Sequence, residues 1–290
     1  MTRASDLGPE RWLPSKAWGQ NYLVNAGVID KIVDLVPIAG AGVIEIGAGR
    51  GALTGALLER GHRVLAVEPH PESARFLAGR FGAEAGFSLL EADATSLDFS
   101  SLAPPADGAP PSGAPSSGAP PSGAPSSGPI AVVGNLPYCV AARILINLVR
   151  TGRGHGPWIL MFQREVAQRI VAAPGSRDYG LLSVIAQLAA ACRLCFHVSP
   201  GSFSPAPKVT SSVVRFEPLE LASPPDWDAL SDWLTRLFSM RRKQLGNSLG
   251  SMLSPGRFEV LRAAPPVPLD RRPEQLTPAT HLALFEAWGS

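Results

Sequence analysis

The sequence is short of cysteine, and this shortage argues against several classes of function. Three cysteines in 290 residues is a low and odd number, which argues against a disulfide framework. Cys192 and Cys195 form a CxxC spacing near His197, but no second Cys/His pair exists to complete a tetrahedral zinc site. The surrounding stretch ACRLCFHV is typical of a strand rather than of a redox-active helix start. We therefore expect buried structural thiols and no metal, with a metal or redox role as the alternative.

Long apolar runs are also missing. None approaches the roughly 20 residues of a transmembrane helix. The N-terminal stretch MTRASDLGPERWLPSKAWGQ lacks the apolar segment of a secretory signal. Because 45% of the residues are nonetheless hydrophobic, the composition allows a substantial core. We expect a cytoplasmic protein without a membrane partner.

Lysine is the third scarce residue, although the formal net charge is +2. Nearly all the positive charge is arginine, which suits bidentate phosphate contacts; GC-rich codon usage would explain the same bias. The net charge neither requires nor excludes a nucleic-acid partner. The lysines are Lys16, Lys31, Lys208 and Lys243.

A segment of low complexity interrupts the chain over residues 103–129. It consists of Ala, Pro, Gly and Ser with one Asp, and repeats GAPPS and GAPSS with a five-residue period. Such a segment has no large apolar side chains to bury and too much proline for a helix or a central strand. We interpret it as a flexible surface insertion within one domain, because the sequences on both sides read as parts of one sheet.

The rest of the chain alternates between short apolar strands and helical patterns. Strands are predicted over 42–46, 63–67, 88–91, 130–133 and 158–162, and helices over 27–36, 51–60, 71–81, 141–150 and 164–173. This alternation predicts an α/β protein with a doubly wound parallel sheet. A β-rich stretch follows over 209–216, and after Pro218 the pattern is helical. We therefore predict a first domain over 1–218 and a small helical domain over 219–290.

The first candidate site motif is Glu45-Ile-Gly47-Ala-Gly49-Arg-Gly51, directly after the first of these strands. Glycines here allow a tight turn and let a ligand approach the main chain. The spacing is GxGxG, which differs from the GxGxxG of dinucleotide-binding proteins. A tight loop without function is the alternative.

Two acidic residues end the next two predicted strands. Glu68 lies about 20 residues after the glycine loop, where a carboxylate accepts hydrogen bonds from the ribose hydroxyls of an adenosine-containing cofactor. Asp93 can accept a hydrogen bond from the amino group of an adenine ring. Surface carboxylates at strand ends are the alternative, but strand ends beside a glycine loop are where ligands bind in such sheets.

The motif Asn135-Leu136-Pro137-Tyr138 ends the fourth predicted strand on the same edge. Proline stops the strand and pushes Leu136 away from helical geometry. The motif offers an amide oxygen, a carbonyl and an aromatic face, which together can hold and stack an aromatic base. The alternative is a strand-ending turn with a packed tyrosine.

Together these motifs resemble the rRNA adenine N6,N6-dimethyltransferases, a family that uses S-adenosylmethionine. The resemblance covers nearly the whole chain outside the repeat. It rests on GQNYLVN from Gly19, EIGAGRGALT, NLPY, FSPAPKVTSSVVRF from Phe203, MRRKQLGNSL from Met240 and the closing RRPEQLTPATHLALFEAW. The last two motifs favour the branch of the family that modifies the small ribosomal subunit.

The resemblance implies a Rossmann-like class I methyltransferase sheet and a set of site residues. Asn135, Leu136, Pro137 and Tyr138 would present the target adenine, and Phe203 would close the other face of its ring. The residues implied to bind S-adenosylmethionine are Asn21, Leu23, Gly47, Gly49, Glu68, Asp93, Ala94 and Asn135.

The resemblance also implies partners. Arg241, Arg242 and Lys243 would bind RNA, with a solvated helix face as the alternative. We expect a monomer that dimethylates small-subunit rRNA in ribosome biogenesis. A large-subunit rRNA methyltransferase that confers resistance and a non-catalytic ribosome-binding factor of the same fold are the alternatives. Among the departures from the family pattern, Cys139 stands where an asparagine usually follows NLPY, and Ala48 stands where proline is common.

Overall fold

The computed structural model describes residues 21–37, 40–106, 116–117, 130–152, 154–221 and 223–289. The start of the N-terminal motif, at Gly19 and Gln20, and most of the predicted insertion lie outside these ranges. Within them, no helix combines the length and the apolar character needed to cross a membrane.

Strands and helices alternate through most of the chain, and the C-terminal part is helical. In chain order the elements are β1 (Tyr22–Leu23), α1 (Ala26–Val33), β2 (Gly42–Ile46), α2 (Ala52–Glu59), β3 (Arg63–Val67), α3 (Pro71–Phe81), β4 (Phe87–Glu91), β5 (Ser116–Ser117), β6 (Ile130–Asn135), α4 (Ala141–Thr151), β7 (Trp158–Gln163), α5 (Arg164–Ile170), α6 (Leu181–Ala189), β8 (Ala190–Val198), β9 (Phe203–Ser204), β10 (Ser211–Pro218), α7 (Trp227–Ser239), α8 (Leu245–Met252), α9 (Pro255–Ala263) and α10 (Pro278–Trp288).

The main sheet has the strand order β5-β4-β3-β2-β6-β7-β10-β8. Strands β4, β3, β2, β6 and β7 are parallel, and β10 runs antiparallel to β7. All five residues of β2 are buried, which explains the continuous apolar run in the sequence. The predicted doubly wound sheet is confirmed. Its strand order reverses between β2 and β6, which is where ligands bind in such sheets.

Several predicted elements have the predicted bounds, and others are new. The strand at 63–67 and the helix at 71–81 begin and end as expected. The helix α6 and the short antiparallel pair of β1 with β9 were not predicted. Within the insertion, β5 pairs with the carboxyl end of β4 as a two-residue edge strand.

The described structure divides differently from the predicted domains. One compact unit comprises residues 1–167 and 193–218, and the other comprises 168–192 and 219–290. The predicted first domain, 1–218, includes residues 168–192. That segment belongs to the second unit because α6, whose apolar side chains are buried, packs against α7 and α10.

The three cysteines are all free. Cys192 and Cys195 are partly buried on β8, as the strand pattern suggested, and burial raises the pKa of the Cys192 thiol to about 12. Cys139 is exposed, so the expectation of buried thiols is wrong there. Among the described residues, no group of three His, Cys, Asp or Glu side chains could hold a metal ion.

Candidate active site

A cavity of about 400 Å³ lies at the carboxyl ends of β2, β3 and β6, in the first unit. This volume is within the range of small-molecule and cofactor sites, roughly 300–1,000 Å³. The structure brings the predicted cofactor residues and the Asn135–Tyr138 turn together around it. The predicted residues that line the cavity are Asn21, Leu23, Gly47, Gly49, Glu68, Asp93, Ala94, Asn135, Leu136, Pro137 and Tyr138.

The glycine loop between β2 and α2 needs glycine for its backbone conformation. Gly47, Gly49 and Gly51 have φ angles of 71°, 57° and 73°, in the left-handed region that other residues rarely adopt. At Gly51 an added Cβ would also lie 2.3 Å from the ring of Phe81 on α3. The loop is therefore fixed both by its turn and by close packing of the helix beside it.

Glu68 is held rigidly at the end of β3. One of its carboxylate oxygens accepts a hydrogen bond from the Gly49 N–H at 2.9 Å, and the other from the His70 N–H at 3.0 Å. Burial raises the pKa of Glu68, and these two N–H groups partly oppose the increase. The carboxylate thus joins the glycine loop to the loop after β3 and faces the cavity in one fixed orientation.

Glu45 is a second buried carboxyl group at the cavity, and it was not among the predicted site residues. Its side chain accepts a hydrogen bond from the Thr54 hydroxyl at 2.6 Å and is only 1% exposed. Burial raises the pKa of Glu45 to about 7, and the nearby Glu68 adds to the increase. The signal in the sequence was a glutamate inside the apolar strand GVIEI.

Asp93 lies in the loop after β4. It is exposed, and its Oδ1 accepts a hydrogen bond from the Thr95 N–H at 2.8 Å. The neighbouring Ala94 is buried, and its carbonyl accepts a hydrogen bond from Asn147 on α4 at 3.0 Å. The turn therefore presents the carboxylate at the cavity while its backbone is attached to α4.

Asn135 has a defined amide orientation. Its Nδ2 donates a hydrogen bond to the carbonyl of Asn21 at 3.0 Å. Because a carbonyl can only accept, the nitrogen must face Asn21, and Oδ1 is the end of the amide left to accept from a ligand. The sequence suggested an amide oxygen at this position but not the backbone group that orients it.

Tyr138 is fixed at both ends. The Pro137 carbonyl accepts a hydrogen bond from the Val140 N–H, which closes the turn around Tyr138 at 3.1 Å. Its hydroxyl lies 2.6 Å from the Ser211 hydroxyl on β10. Burial raises the pKa of Tyr138, so the phenol stays neutral at physiological pH. The ring lines the cavity as a neutral aromatic surface, and Ser211 is a supporting residue that the sequence did not reveal.

Phe203 does not line the cavity. It lies on β9, pairs with Leu23 of β1, and is 4% exposed within the same hydrophobic cluster as Leu23. Its predicted role in closing the second face of a base therefore stays a prediction, and the geometry shows it as a packing residue behind β1.

Other residues of the cavity wall were not predicted as site residues. Tyr22 packs beneath the glycine loop, and the guanidinium carbon of Arg50 lies 5.0 Å from the centroid of its ring. This distance is typical of a cation–π contact. Arg143, on the first turn of α4, also lines the cavity and is exposed. The wall therefore carries positive charge close to the Asn135–Tyr138 turn.

The predicted basic cluster of the second unit is only partly available for binding. The Arg241 guanidinium donates to Glu274 at 2.8 Å and to the Arg177 carbonyl at 3.0 Å, so it holds that unit together. Arg242 and Lys243 are exposed and form no ion pair within the described ranges. The part of the prediction that concerns RNA binding remains a prediction.

Comparison with known proteins shows the family of this chain. A family model described as ribosomal RNA adenine dimethylase matches residues 14–287. The chain belongs to this family. The match spans both compact units, so the resemblance seen in the motifs extends over nearly the whole chain.

Curated relatives and solved structures agree with this assignment. The ribosomal RNA small subunit methyltransferase A of Anaeromyxobacter dehalogenans is 42% identical over 283 residues, covering 94% of this chain and 93% of the relative. A dimethyladenosine transferase from Plasmodium falciparum has a TM-score of 0.70 at 23% identity, covering 91% of this chain and 96% of that one. The 23S rRNA methyltransferase ErmE has a TM-score of 0.59 at 22% identity, covering 93% of this chain and 100% of that one. These structures establish the predicted Rossmann-like fold.

The methyl donor of this family is S-adenosylmethionine, and the cavity fits it. Glu68 would accept from the ribose hydroxyls and Asp93 from the adenine amino group. Gly47 and Gly49 line the cavity, so the main chain of the glycine loop faces the space that the ligand would occupy. The cavity thus offers two carboxylate acceptors for the hydroxyl and amino groups of the ligand, beside a loop of glycine-rich main chain.

Proposed function

We propose that the protein transfers two methyl groups from S-adenosylmethionine to N6 of adenosines in small-subunit (16S) rRNA, giving N6,N6-dimethyladenosine. It would act as a monomer in the cytoplasm during ribosome biogenesis. The observation that carries the proposal is the Asn135 amide, whose oxygen is left to accept at the cavity because Nδ2 donates to Asn21. The 42% identity to a small-subunit methyltransferase supports the choice of substrate.

The chemistry follows from the lone pair of the target nitrogen, which is delocalised into the adenine ring. When bound, S-adenosylmethionine supplies an electrophilic methyl group on a sulfonium. Asn135 Oδ1 and the Leu136 carbonyl would accept hydrogen bonds from the N6 amino group, which favours a pyramidal nitrogen and frees the lone pair. Methyl transfer leaves N6 positively charged and acidic, so its proton departs to solvent without a strong base.

The rest of the catalytic contribution is orientation. Tyr138, held by Ser211, offers a fixed ring for stacking against the adenine. A base that stacks on this ring must first leave its own stack, so looped or single-stranded RNA fits the site. Catalysis would then rest on placing N6 in line with the methyl group and on preorganised acceptors.

RNA binding would use arginine and lysine contacts to phosphate. Arg143 lies at the cavity in the first unit, and Arg242 and Lys243 are exposed on the second. We assign residues 219–290, together with 168–192, to RNA binding. If these contacts form, the logarithm of affinity falls linearly with the logarithm of salt concentration.

The test is methylation by the purified protein with radiolabelled S-adenosylmethionine. Unmethylated small-subunit particles and bare large-subunit rRNA are offered separately, and dimethyladenosine is identified by mass spectrometry. We expect label in small-subunit RNA, and a rate of labelling lower by about 100-fold or more with Asn135→Ala. Label only in large-subunit RNA would make the protein a resistance-type methyltransferase. Cofactor binding without any label would favour the non-catalytic ribosome-binding factor.

A further inference from the structure

We propose that Asn147 is a positioning residue that sets the selectivity of the cofactor site for adenine. This inference rests on the proposed function, in which Asp93 accepts a hydrogen bond from the adenine amino group. Asn147 does not line the cavity. It acts through the backbone of the loop that carries Asp93.

Asn147 binds that loop at two points. It is 5% exposed on α4, and its Nδ2 donates to the Ala94 carbonyl at 3.0 Å and to the Leu97 carbonyl at 2.8 Å. Because both partners are acceptors, the amide nitrogen must face the loop. One of these two carbonyls belongs to Ala94, the residue directly after Asp93.

The Asp93 carboxylate is hydrogen-bonded within this loop. Its Oδ1 accepts the Thr95 N–H at 2.8 Å, and its carbonyl accepts the Ser96 N–H at 3.1 Å. The side chain of Asp93 is therefore fixed relative to its own turn. Asn147 fixes this turn relative to α4. A change at Asn147 should therefore move the carboxylate.

The helix that carries Asn147 also reaches the cavity. α4 begins three residues after Tyr138, and Arg143 and Ile144 in its first turns line the cavity. Asn147 lies one turn further along, on the side facing the Asp93 loop. One rigid helix thus sets the spacing between the base-binding turn and the adenine acceptor.

The far end of the same loop provides a matched control. Thr151, one turn after Asn147, accepts the Phe99 N–H at 3.2 Å and donates to the Asn147 carbonyl at 3.0 Å, and its hydroxyl lies 3.5 Å from the Leu97 carbonyl. The His155 Nε2–H donates to the Phe99 carbonyl at 2.6 Å. These contacts hold the segment six residues beyond Asp93. Thr151→Val removes the hydroxyl contacts but leaves both hydrogen bonds from the Asn147 amide to the loop in place, so it should lower thermal stability while the carboxylate keeps its position.

The experiment compares binding of S-adenosylhomocysteine with that of S-inosylhomocysteine by calorimetry, using the full-length protein. The inosyl analogue replaces the amino donor by a carbonyl, which faces Asp93 unfavourably. We expect the wild type to prefer the adenosyl ligand by about tenfold or more. Asn147→Asp replaces the donating amide nitrogen by an oxygen, which repels the two loop carbonyls, and should reduce this preference to about twofold. Thr151→Val should retain the preference.

Several outcomes overturn the inference. Full adenosyl preference in Asn147→Asp would show that Asn147 does not position Asp93. Equal loss in Thr151→Val would show a general loosening of α4 instead of a specific effect. No preference in the wild type would overturn the role of Asp93 in the proposed function as well. If Asn147→Asp does not fold, Asn147→Ser, which is too short to reach both carbonyls, is held to the same expectation.

Discussion

Replacing Glu45 by glutamine should change how the stability of the protein depends on pH. In the folded protein Glu45 keeps its proton up to a pKa of about 7, whereas the usual pKa of the group is 4.5. Between these values the folded state binds more protons than the unfolded state, so the free energy of unfolding falls as pH rises. This contribution is fully present below about pH 4.5 and has been lost above about pH 7.

The magnitude follows from the two pKa values. Each pH unit between them changes the free energy of unfolding by about 1.4 kcal/mol, so the wild type should lose up to about 3 kcal/mol across the interval. Glu45→Gln has no proton to release but keeps an oxygen that can accept from Thr54. The difference between wild type and variant should therefore change with pH by up to about that amount, because the carboxylates other than the nearby Glu68 contribute equally to both proteins.

The assay is chemical denaturation of both proteins between about pH 5 and about pH 8, followed by circular dichroism. Glu59→Gln, at the exposed end of α2, is the control and should follow the wild type. Parallel profiles for wild type and Glu45→Gln would refute the reasoning, because they would show that burial does not hold the proton on Glu45.

Three further predictions concern the turn and the insertion. Asn135→Ala should lower turnover by about 100-fold or more while cofactor binding is weakened but detectable; undiminished turnover would contradict the acceptor role. Ser211→Ala should lower kcat by about fivefold through the loss of one hydrogen bond to Tyr138, with the cofactor Kd unchanged; a matching rise in Kd would place Tyr138 outside the base site. Deleting residues 108–127 should leave the melting temperature and the activity nearly unchanged, and a large loss of either would show that the repeat has a structural or catalytic role.

Much of the fold could be predicted because local signals agree with the final structure. The apolar run of β3 is buried, and α3 begins at Pro71, where proline suits the first helical turn. The cofactor residues could be placed because strand ends in a parallel sheet meet at one edge. Short-range patterns are sufficient where a strand or helix is bounded by clear turn residues.

The remaining features depend on contacts between residues far apart in the chain. The Asn135 amide is oriented by Asn21, and the Tyr138 hydroxyl by Ser211, and neither partner has a distinctive local pattern. Phe203 lies in a motif that resembles a site motif of the family, but its strand pairs with β1, and its side chain is buried in the core. The helix α6 reads as a plain apolar run, which does not distinguish a helix from a strand.

The composition of the second unit from two separate segments has a consequence for synthesis on the ribosome. The buried side chains of α6, including Val184, Ile185 and Leu188, belong to a unit that also contains α7 and α10, both of which are translated after α6. Since translation runs from the N-terminus, α6 emerges before those partners exist. Its apolar face stays uncovered while β8 to β10 are made, and it is covered only when α7 and later α10 have been translated. A nascent chain arrested near residue 218 would contain the strands of the main sheet together with α6, whose apolar side chains would be exposed and prone to aggregation.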